Sequence, residues 1–532
     1  MNLLTSKLFF SRVFAAVLIA DFLSLVILNL FEMPTYNLVY VFLPSFFAAL
    51  QILFKFRVRR TSFPLDPLAL VCVGFTLVLL TIPRLIYLFD WIPGEFALVV
   101  SDDYGRLADL IPMTLAEKYP LPHPGNINYL LSYNYASFYP MALFKFLIPF
   151  LSLKDTIILG NLLYHILILM SLVEISHMLL SSAVSIRVFI FLCTLFGGLD
   201  WIMDTPLTLI GHSENWQAMF NGNTQITAFF VGMYWTITHF VAFYALVLSY
   251  LFLFYTRISL PVLKIVTVLL LWASAFYCSP FSVMAFPLFA WVHRRLLWKR
   301  FCQSWVLPYV VVAMMVPLYI FFNRLPSFGF VTSNFRFPFT EQFWLDKVLS
   351  TPIFFTLVPL IELAGVPFVL LLITKKLPRV DRQYFIAAVI FFAVTYIVAY
   401  TAENNFSMRG MFLPTLVFYF LFAKHGVPFL GRIKYFQWKE NLYSKGIVTG
   451  LVMIMVIGTI GEIGGRMAEG LRNTSITYNF LNRELPPHLK TKDSKYSQHK
   501  FNAEKFTEPV NLNEMPYWEK EIVRLPRQGF IR

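Results

Sequence analysis

Read by polarity alone, the chain is a series of long apolar runs separated by short polar breaks. The runs fall near residues 8–31, 36–54 and 67–89, then 156–180, 187–204, 228–255, 259–277 and 280–292. The later ones fall near 304–322, 351–374, 383–401, 411–429 and 446–463. A helix needs about 20 apolar residues to cross the hydrocarbon core of a bilayer. The pattern therefore predicts an all-α polytopic membrane protein with about thirteen transmembrane helices. The break Cys278-Ser279-Pro280 separates two of the shorter runs. Pro280 has no amide hydrogen to give, so that point is a tight turn or a kink. A further apolar run, Tyr139–Leu151, is too short to span. It reads as an interfacial helix lying on the membrane, with Lys145 available to lipid phosphate.

Charge adds a direction to this pattern. Lys55, Arg57, Arg59 and Arg60 follow the second run, and Arg294, Arg295, Lys299 and Arg300 follow the eighth. Lys375, Lys376, Arg379 and Arg382 follow the tenth, and Arg432, Lys434 and Lys439 follow the twelfth. Every cluster comes after an even-numbered run, so the positive-inside rule puts those loops and the N-terminus in the cytoplasm. The opposite loops then face outward: 90–155, 205–227, 323–350, 402–410 and the tail from about 464. Two regions result: a membrane domain, 1–463, with a large first exterior loop at 90–155, and an exterior tail or small cap, 464–532. The N-terminal run is expected to stay as an uncleaved first helix, because Asp21 interrupts it and no small-residue cleavage site follows.

Composition agrees with a membrane protein: 58% of residues are hydrophobic, only 14% are charged, and mean hydropathy is +0.66. The net charge of +14 sits in topology-setting clusters rather than in a nucleic-acid surface. Cys72, Cys193, Cys278 and Cys302 lie in or beside apolar runs without metal spacing, and read as packing residues.

Against this apolar background one polar stretch stands out, Ser101–Pro140 in the first exterior loop. It opens with Asp102 and Asp103, continues through Arg106 and Asp109, and closes on Tyr129, Tyr133, Tyr135 and Tyr139. Acids at the start of a loop helix suit the helix dipole and cap the chain, which is the plain reading. A carboxylate at the interface can also take a proton from an incoming hydroxyl. An acidic pair can equally hold a divalent cation, such as magnesium or manganese, against a phosphate leaving group. The spacing does not separate base from metal ligand. Tyr133, Tyr135 and Tyr139 offer a surface on which a sugar could stack.

Two further outer segments carry candidate polar groups. Gly211–Gln225 includes Asn223 and Gln225, and the following run carries His239 about four helical turns on. An intramembrane histidine is either a packed, hydrogen-bonded residue or a functional one, since burying it is costly. The segment Glu403–Arg409 supplies Asn404 and Arg409 at the mouth of the next run. Arg409 can snorkel to the interface, or clamp phosphate oxygens through its planar fork of donors. Arg324, Arg336 and Arg84 are weaker candidates of the same kind.

Three blocks, LSYNYASFYP (131–140), NGNTQITAFF…YWTITH (221–239) and ENNFSMRGMFLP (403–414), resemble segments of poorly characterised bacterial multi-spanning proteins. Those proteins are similar in layout to the GT-C glycosyltransferases, the superfamily of protein O-mannosyltransferases and aminoarabinose transferases. In that superfamily an acid in the first large exterior loop is the catalytic base or a metal ligand, and the sugar donor is a polyprenyl phosphate. That loop commonly follows the first helix directly, whereas an additional hairpin precedes it here. Many members also carry a folded exterior domain at the C-terminus, and no clear one is visible in this sequence.

The resemblance implies sugar transfer from a polyprenyl-phosphate donor to a glycan, lipid or protein acceptor at the outer face of the bacterial cytoplasmic membrane. Asp102 or Asp103 would activate the acceptor. Arg409, with Arg106 or Arg336, would neutralise the departing phosphate. Tyr133, Tyr139, Asn223, Gln225, His239 and Asn404 would shape the pocket. The alternatives are a transporter or flippase of a lipid-linked saccharide, and an inactive scaffold in an envelope-polymer assembly. A transporter should carry ionisable residues near mid-membrane and show pseudo-repeats.

Overall fold

The structure, a computed structural model, describes residues 8–58, 66–85, 136–196, 229–235, 237–294, 362–397 and 409–432, with stretches of one to five residues elsewhere. In chain order the helices are α1 (Phe9–Leu30), α2 (Leu38–Phe54), α3 (Pro67–Leu85), α4 (Tyr139–Leu147), α5 (Leu153–Leu179) and α6 (Ala183–Thr194). Then come α7 (Phe229–Trp235), α8 (Ile237–Tyr255), α9 (Pro261–Cys278), α10 (Pro280–Val283) and α11 (Phe286–Val292). The last are α12 (Val366–Ile373), α13 (Arg379–Ile397), α14 (Phe412–Leu421) and α15 (Val427–Leu430), the final two joined by a π-helical turn, Phe422–Gly426.

Six described helical stretches are long and apolar enough to cross a membrane: Phe9–Leu30, Thr35–Phe54, Asp155–Leu179, Ile237–Tyr255, Pro261–Cys278 and Phe412–Leu430. Shorter apolar helices cover Pro67–Ile82, Ala183–Thr194 and Phe281–Val292. The chain is a mostly helical, multi-pass membrane protein. Of the other predicted runs, 304–322 and most of 446–463 lie outside the described residues. The run at 383–401 is helical from Arg379, and its polar first turn keeps it from qualifying as a span by composition.

Burial sorts the helices. α1 is apolar all round, and Phe14, Ala16, Leu18 and Leu28 are fully buried. A helix without a polar stripe needs neighbours on every side, and it packs against α2, α5, α8 and α9. α2 and α13 are peripheral instead. They expose Tyr40, Phe47, Val389 and Ile390, side chains that a bilayer would cover. α4 covers the first part of the expected interfacial segment Tyr139–Leu151, whose Leu147 and Phe150 are exposed. Tyr139–Leu143 are buried, and Met141 is seated on Gly160 of α5, where an added Cβ would lie 2.3 Å from its Cγ. Lys145 donates to the carbonyls of Pro149 and Leu151, both at 2.6 Å, and so closes the turn into α5. Its amine is thus engaged by its own chain rather than left free for lipid phosphate.

The stretch between α3 and α4 also contains a small hairpin that hydropathy does not reveal. Pro122–His123 pairs antiparallel with Asn126–Leu130. Tyr119, just before it, donates its amide to the Met33 carbonyl beyond the end of α1, at 2.9 Å.

Polar contacts between helices gather at two opposite ends. At the basal end, which holds the start of α1, Glu174 of α5 accepts from the amides of Phe10 and Ser11, both at 2.9 Å, and from the Ser11 hydroxyl at 2.7 Å. The first amides of a helix have no partner within it; a carboxylate from another helix supplies one here. Arg12 donates to the carbonyl of Phe56. Asp66 caps α3 through the amides of Leu68 and Ala69 and binds Arg187 of α6 at 3.0 Å. The Asp66 amide donates to His177 Nε2 at 3.0 Å, and His177 Nδ1 lies 2.9 Å from the Val173 carbonyl. An amide must donate and a carbonyl must accept, so the ring proton sits on Nδ1. Asp381 of α13 accepts from Lys424 at 2.8 Å and His425 at 2.7 Å. Arg57–Val58 pairs with Thr256–Arg257 as a two-residue ladder at the same end.

Candidate functional site

The distal end gathers the described members of the predicted site. Arg409 and Gly410 lead into α14. A Cβ on Gly410 would lie 3.1 Å from the Phe391 ring and 3.5 Å from the Phe281 carbonyl. Only a glycine allows that approach without a shift, and the approach sets Gly410 against Phe391 of α13 and Phe281 of α10. Arg409 is half-buried, and its Nε is buried without a hydrogen-bond partner among the described residues. A guanidinium N–H withdrawn from water and left unmatched is costly, and such a group suits an anionic oxygen.

His239 stands on α8 beside the same turn. Its Nδ1 lies 2.6 Å from the Ser279 hydroxyl. Ser279 also accepts from the Ser282 hydroxyl at 3.1 Å and the Ser282 amide at 3.4 Å. With those two bonds filling its lone pairs, Ser279 gives its own proton to Nδ1. The imidazole proton is then on Nε2, which acts as a donor. The Cys278-Ser279-Pro280 break is therefore a turn: α9 ends at Cys278 and Ser279 caps the short helix that follows.

Two more basic groups flank this region. Arg84, at the end of α3, donates to the carbonyls of Leu80 (3.0 Å) and Tyr234 (2.7 Å), and its guanidinium carbon lies 4.7 Å from the centre of the Tyr234 ring. His165 Nε2 lies 3.0 Å from the Met233 carbonyl, so Nε2 carries a proton there as well. Gly232 lets α7 close on α14: a Cβ would lie 2.6 Å from the Phe412 ring. Arg336 belongs to a two-residue strand whose backbone pairs with Ala399, a few residues before the Glu403–Arg409 segment.

A buried carboxyl that hydropathy marked only as an interruption supports the loop from below. Asp21 of α1 is fully buried. The Tyr164 hydroxyl of α5 lies 3.0 Å from Asp21 Oδ2 and 2.9 Å from the Ser137 carbonyl, while Asp21 Oδ1 is without a hydrogen-bond partner among the described residues. Ser137 lies in the 3₁₀ turn Ala136–Phe138, immediately before Tyr139. The end of the tyrosine-rich segment is thus tied to the middle of two central helices. Tyr139 itself is fully buried, its ring centre 6.4 Å from that of Tyr119. A stacking surface needs an open face, so this tyrosine serves packing instead.

The structure therefore brings His239 and Arg409 to one end, together with Arg84, His165 and the backbone of Arg336. Asp102, Asp103, Arg106, Tyr133, Asn223, Gln225 and Asn404 lie outside the described residues. Sequence reading passed over Tyr164, His165 and the anchoring part of Asp21. The available signal was an ionisable or polar residue inside an apolar run, which is expensive and seldom idle. Among the described residues no three His, Cys, Asp or Glu side chains cluster as a metal site, and the aspartate pair is not among them. The chain matches no family model, no curated protein and no solved structure.

Proposed function

We propose that this protein is an integral-membrane glycosyltransferase of the GT-C type, transferring a sugar from a polyprenyl-phosphate donor to an acceptor at the outer face of the cytoplasmic membrane. The observation that carries this reading is Arg409, whose buried Nε is without a hydrogen-bond partner among the described residues, at the same end of the bundle as His239. A guanidinium in that position suits a phosphate. The basic clusters of the chain support distal as outward, because Lys375, Lys376, Arg379 and Arg382 belong to the opposite end. Asp102 and Asp103 fall in a segment bracketed in sequence by Arg84 and Tyr119, both of which are at the distal end.

In the proposed reaction an acceptor hydroxyl attacks the anomeric carbon. The carbon–oxygen bond to the lipid phosphate breaks, and the phosphate leaves with the electron pair. The hydroxyl proton passes to the carboxylate of Asp102 or Asp103. Arg409 offsets the charge that develops on the leaving phosphate, and holding the lipid at the interface aligns donor and acceptor.

The test uses purified protein in nanodiscs with a panel of radiolabelled polyprenyl-phosphate sugars. One sugar should turn over. Asp102→Asn or Asp103→Asn should abolish transfer while donor binding survives, and Arg409→Ala should slow it by roughly 10²–10³-fold. No turnover with any donor, combined with lipid movement across the bilayer, would discard catalysis. The second reading, a transporter or flippase of lipid-linked saccharide, is favoured by one observation: Asp21 lies deep within α1, fully buried. For that reading Asp21→Asn should stop transport while leaving glycosyl transfer undetectable in every variant.

A further inference from the structure

The basal end holds a cavity of about 250 Å³ that the proposed reaction does not use. Its wall is mostly apolar and aromatic, with Phe189, Phe254, Trp272, Phe289, Val417 and Phe420 among the lining residues. Trp272, Val417 and Phe420 are only half-buried, so the cavity reaches the side of the bundle. Polar groups converge on it from three helices. His293 Nε2 lies 2.9 Å from the Tyr250 hydroxyl and is also bonded to the Tyr384 hydroxyl, while the two hydroxyls are 2.6 Å apart.

Counting protons shows what this triangle offers. The three groups carry three protons, one on the imidazole and one on each tyrosine. If the imidazole proton is on Nδ1, it lies outside the triangle. If it is on Nε2, that nitrogen cannot accept, and one tyrosine proton has no acceptor within the triangle. With the proton on Nε2, one tyrosine hydroxyl is left over as a donor at a residue lining the cavity.

The rim is cationic. Lys424 and Asp381 line the cavity, and Lys424 spends one of its three N–H donors on Asp381 while remaining 38% exposed. The π-helical turn Phe422–Gly426 turns both Lys424 and His425 toward that one carboxylate. Lys375, Lys376, Arg379 and Arg382 are exposed on the elements leading into and through the Asp381 turn, and Arg294 follows His293. Asp381 alone does not balance so many cations.

We infer that this cavity binds one anionic glycerophospholipid, with an acyl chain among the aromatic side chains and the phosphate against Lys424 and the neighbouring arginines. An apolar cavity open to the side of the bundle selects an amphiphile from the bilayer. The cationic rim selects a negative head group over a zwitterionic one, as basic pockets between spanning helices do. The leftover triad donor suits an ester or phosphate oxygen. This site is at the opposite end from the proposed glycosyl-transfer site and does not depend on it.

The test is native mass spectrometry of the full chain in mild detergent, titrated with phosphatidylglycerol or phosphatidylcholine of matched chains. The expected result is one phosphatidylglycerol retained in preference to phosphatidylcholine. Val417→Trp, which fills the cavity, should remove that adduct. Lys424→Gln should reduce the preference roughly fivefold and leave phosphatidylcholine binding unchanged. If Val417→Trp does not fold, Lys424→Gln and an Arg379→Gln, Arg382→Gln double variant decide, each by lowering the preference. Equal retention of the two lipids would overturn the proposal, as would an undiminished adduct in folded Val417→Trp. Protection of wild type by inorganic phosphate, equal to that by the anionic lipid, would also overturn it by pointing to a soluble anion.

Discussion

The two ends of the bundle treat charge in opposite ways. At the basal end the carboxylates are matched across helices, Asp66 with Arg187 and Asp381 with Lys424 and His425, while exposed cations are in excess and Arg12 Nε is buried without a partner among the described residues. Glu174 is matched to the free amides of α1. At the distal end the described cations meet carbonyls and rings instead. Arg84 rests on Tyr234 and two carbonyls, and Arg409 keeps a buried N–H unmatched among the described residues. Groups matched within the fold contribute to holding it together. The matched basal carboxylates are therefore expected to matter for stability, and Arg409 for a ligand.

The largest effect should come from breaking the basal match at its most buried point. Glu174→Ala strands two amides and removes the carboxylate beside Arg12 inside the bundle, leaving the Ser11 hydroxyl with only the Ser171 hydroxyl, 2.9 Å away. A loss of about 3–5 kcal/mol is expected, on the scale of removing one partner from a buried charged network. Unfolding in mixed micelles, followed by tryptophan fluorescence, measures it. Arg409→Ala is the counterpart. Stability should change by no more than about 0.5 kcal/mol, or rise, because an unsatisfied group is removed. If Arg409→Ala unfolds the chain as readily as Glu174→Ala, the contrast between the ends fails.

A smaller effect sharpens how the distal end is built. Gly232→Ala adds a methyl 2.6 Å from the Phe412 ring, which must move. Overpacking of this kind costs about 1–3 kcal/mol. Because Phe412 lies three residues beyond Arg409, the same substitution should weaken donor binding more than Gly160→Ala does. At Gly160 the atom in the way is Met141 Cγ, 2.3 Å off in a fully buried side chain, so that substitution also overpacks, but next to α4 rather than beside Arg409. Parallel thermal and donor-binding titrations of the two variants separate packing from positioning.

How far the sequence announced all this varies by residue. The apolar runs gave the spanning helices directly, because burial in lipid demands length and composition that few other contexts tolerate. The Cys278-Ser279-Pro280 turn was legible because proline lacks a donor. His239 and Arg409 were legible as polar residues at the mouths of apolar runs, but not their partners. The Ser279–His239 bond joins residues forty positions apart, and only packing brings them together. α4 was legible as a short apolar helix, but not that its first half, Tyr139–Leu143, is covered by protein, because hydropathy measures how apolar a segment is and not what covers it. Glu174 went unremarked for a related reason, since its role depends on where the first turn of another helix ends.

The mildest test of the contrast is acid. Asp66 lies just before α3 and Asp381 before the predicted span at 383–401. Burial opposes ionisation of each. For Asp66 the hydrogen bond from Arg187, the amides of Ala69 and Leu68 and the arginine charge outweigh it. For Asp381 the bonds from His425 and Lys424 and their charge do the same. Both carboxyls therefore sit below the ordinary aspartate value, about 3.9 in an unfolded chain. A depressed folded value adds stability that is complete above the unfolded pKa and lost as pH falls through the folded one. The melting temperature of the detergent-solubilised chain should thus stay level from neutrality to about pH 4 and decline below it. Arg187 is 42% exposed, so solvent screening holds the Asp66 share to about 1 kcal/mol or less. Asp66→Asn should flatten part of the decline, and Arg409→Ala should leave its slope alone, since no carboxylate partner of Arg409 is found among the described residues. An acid slope that changes with Arg409 and not with Asp66 would mean that the matched charges are at the other end.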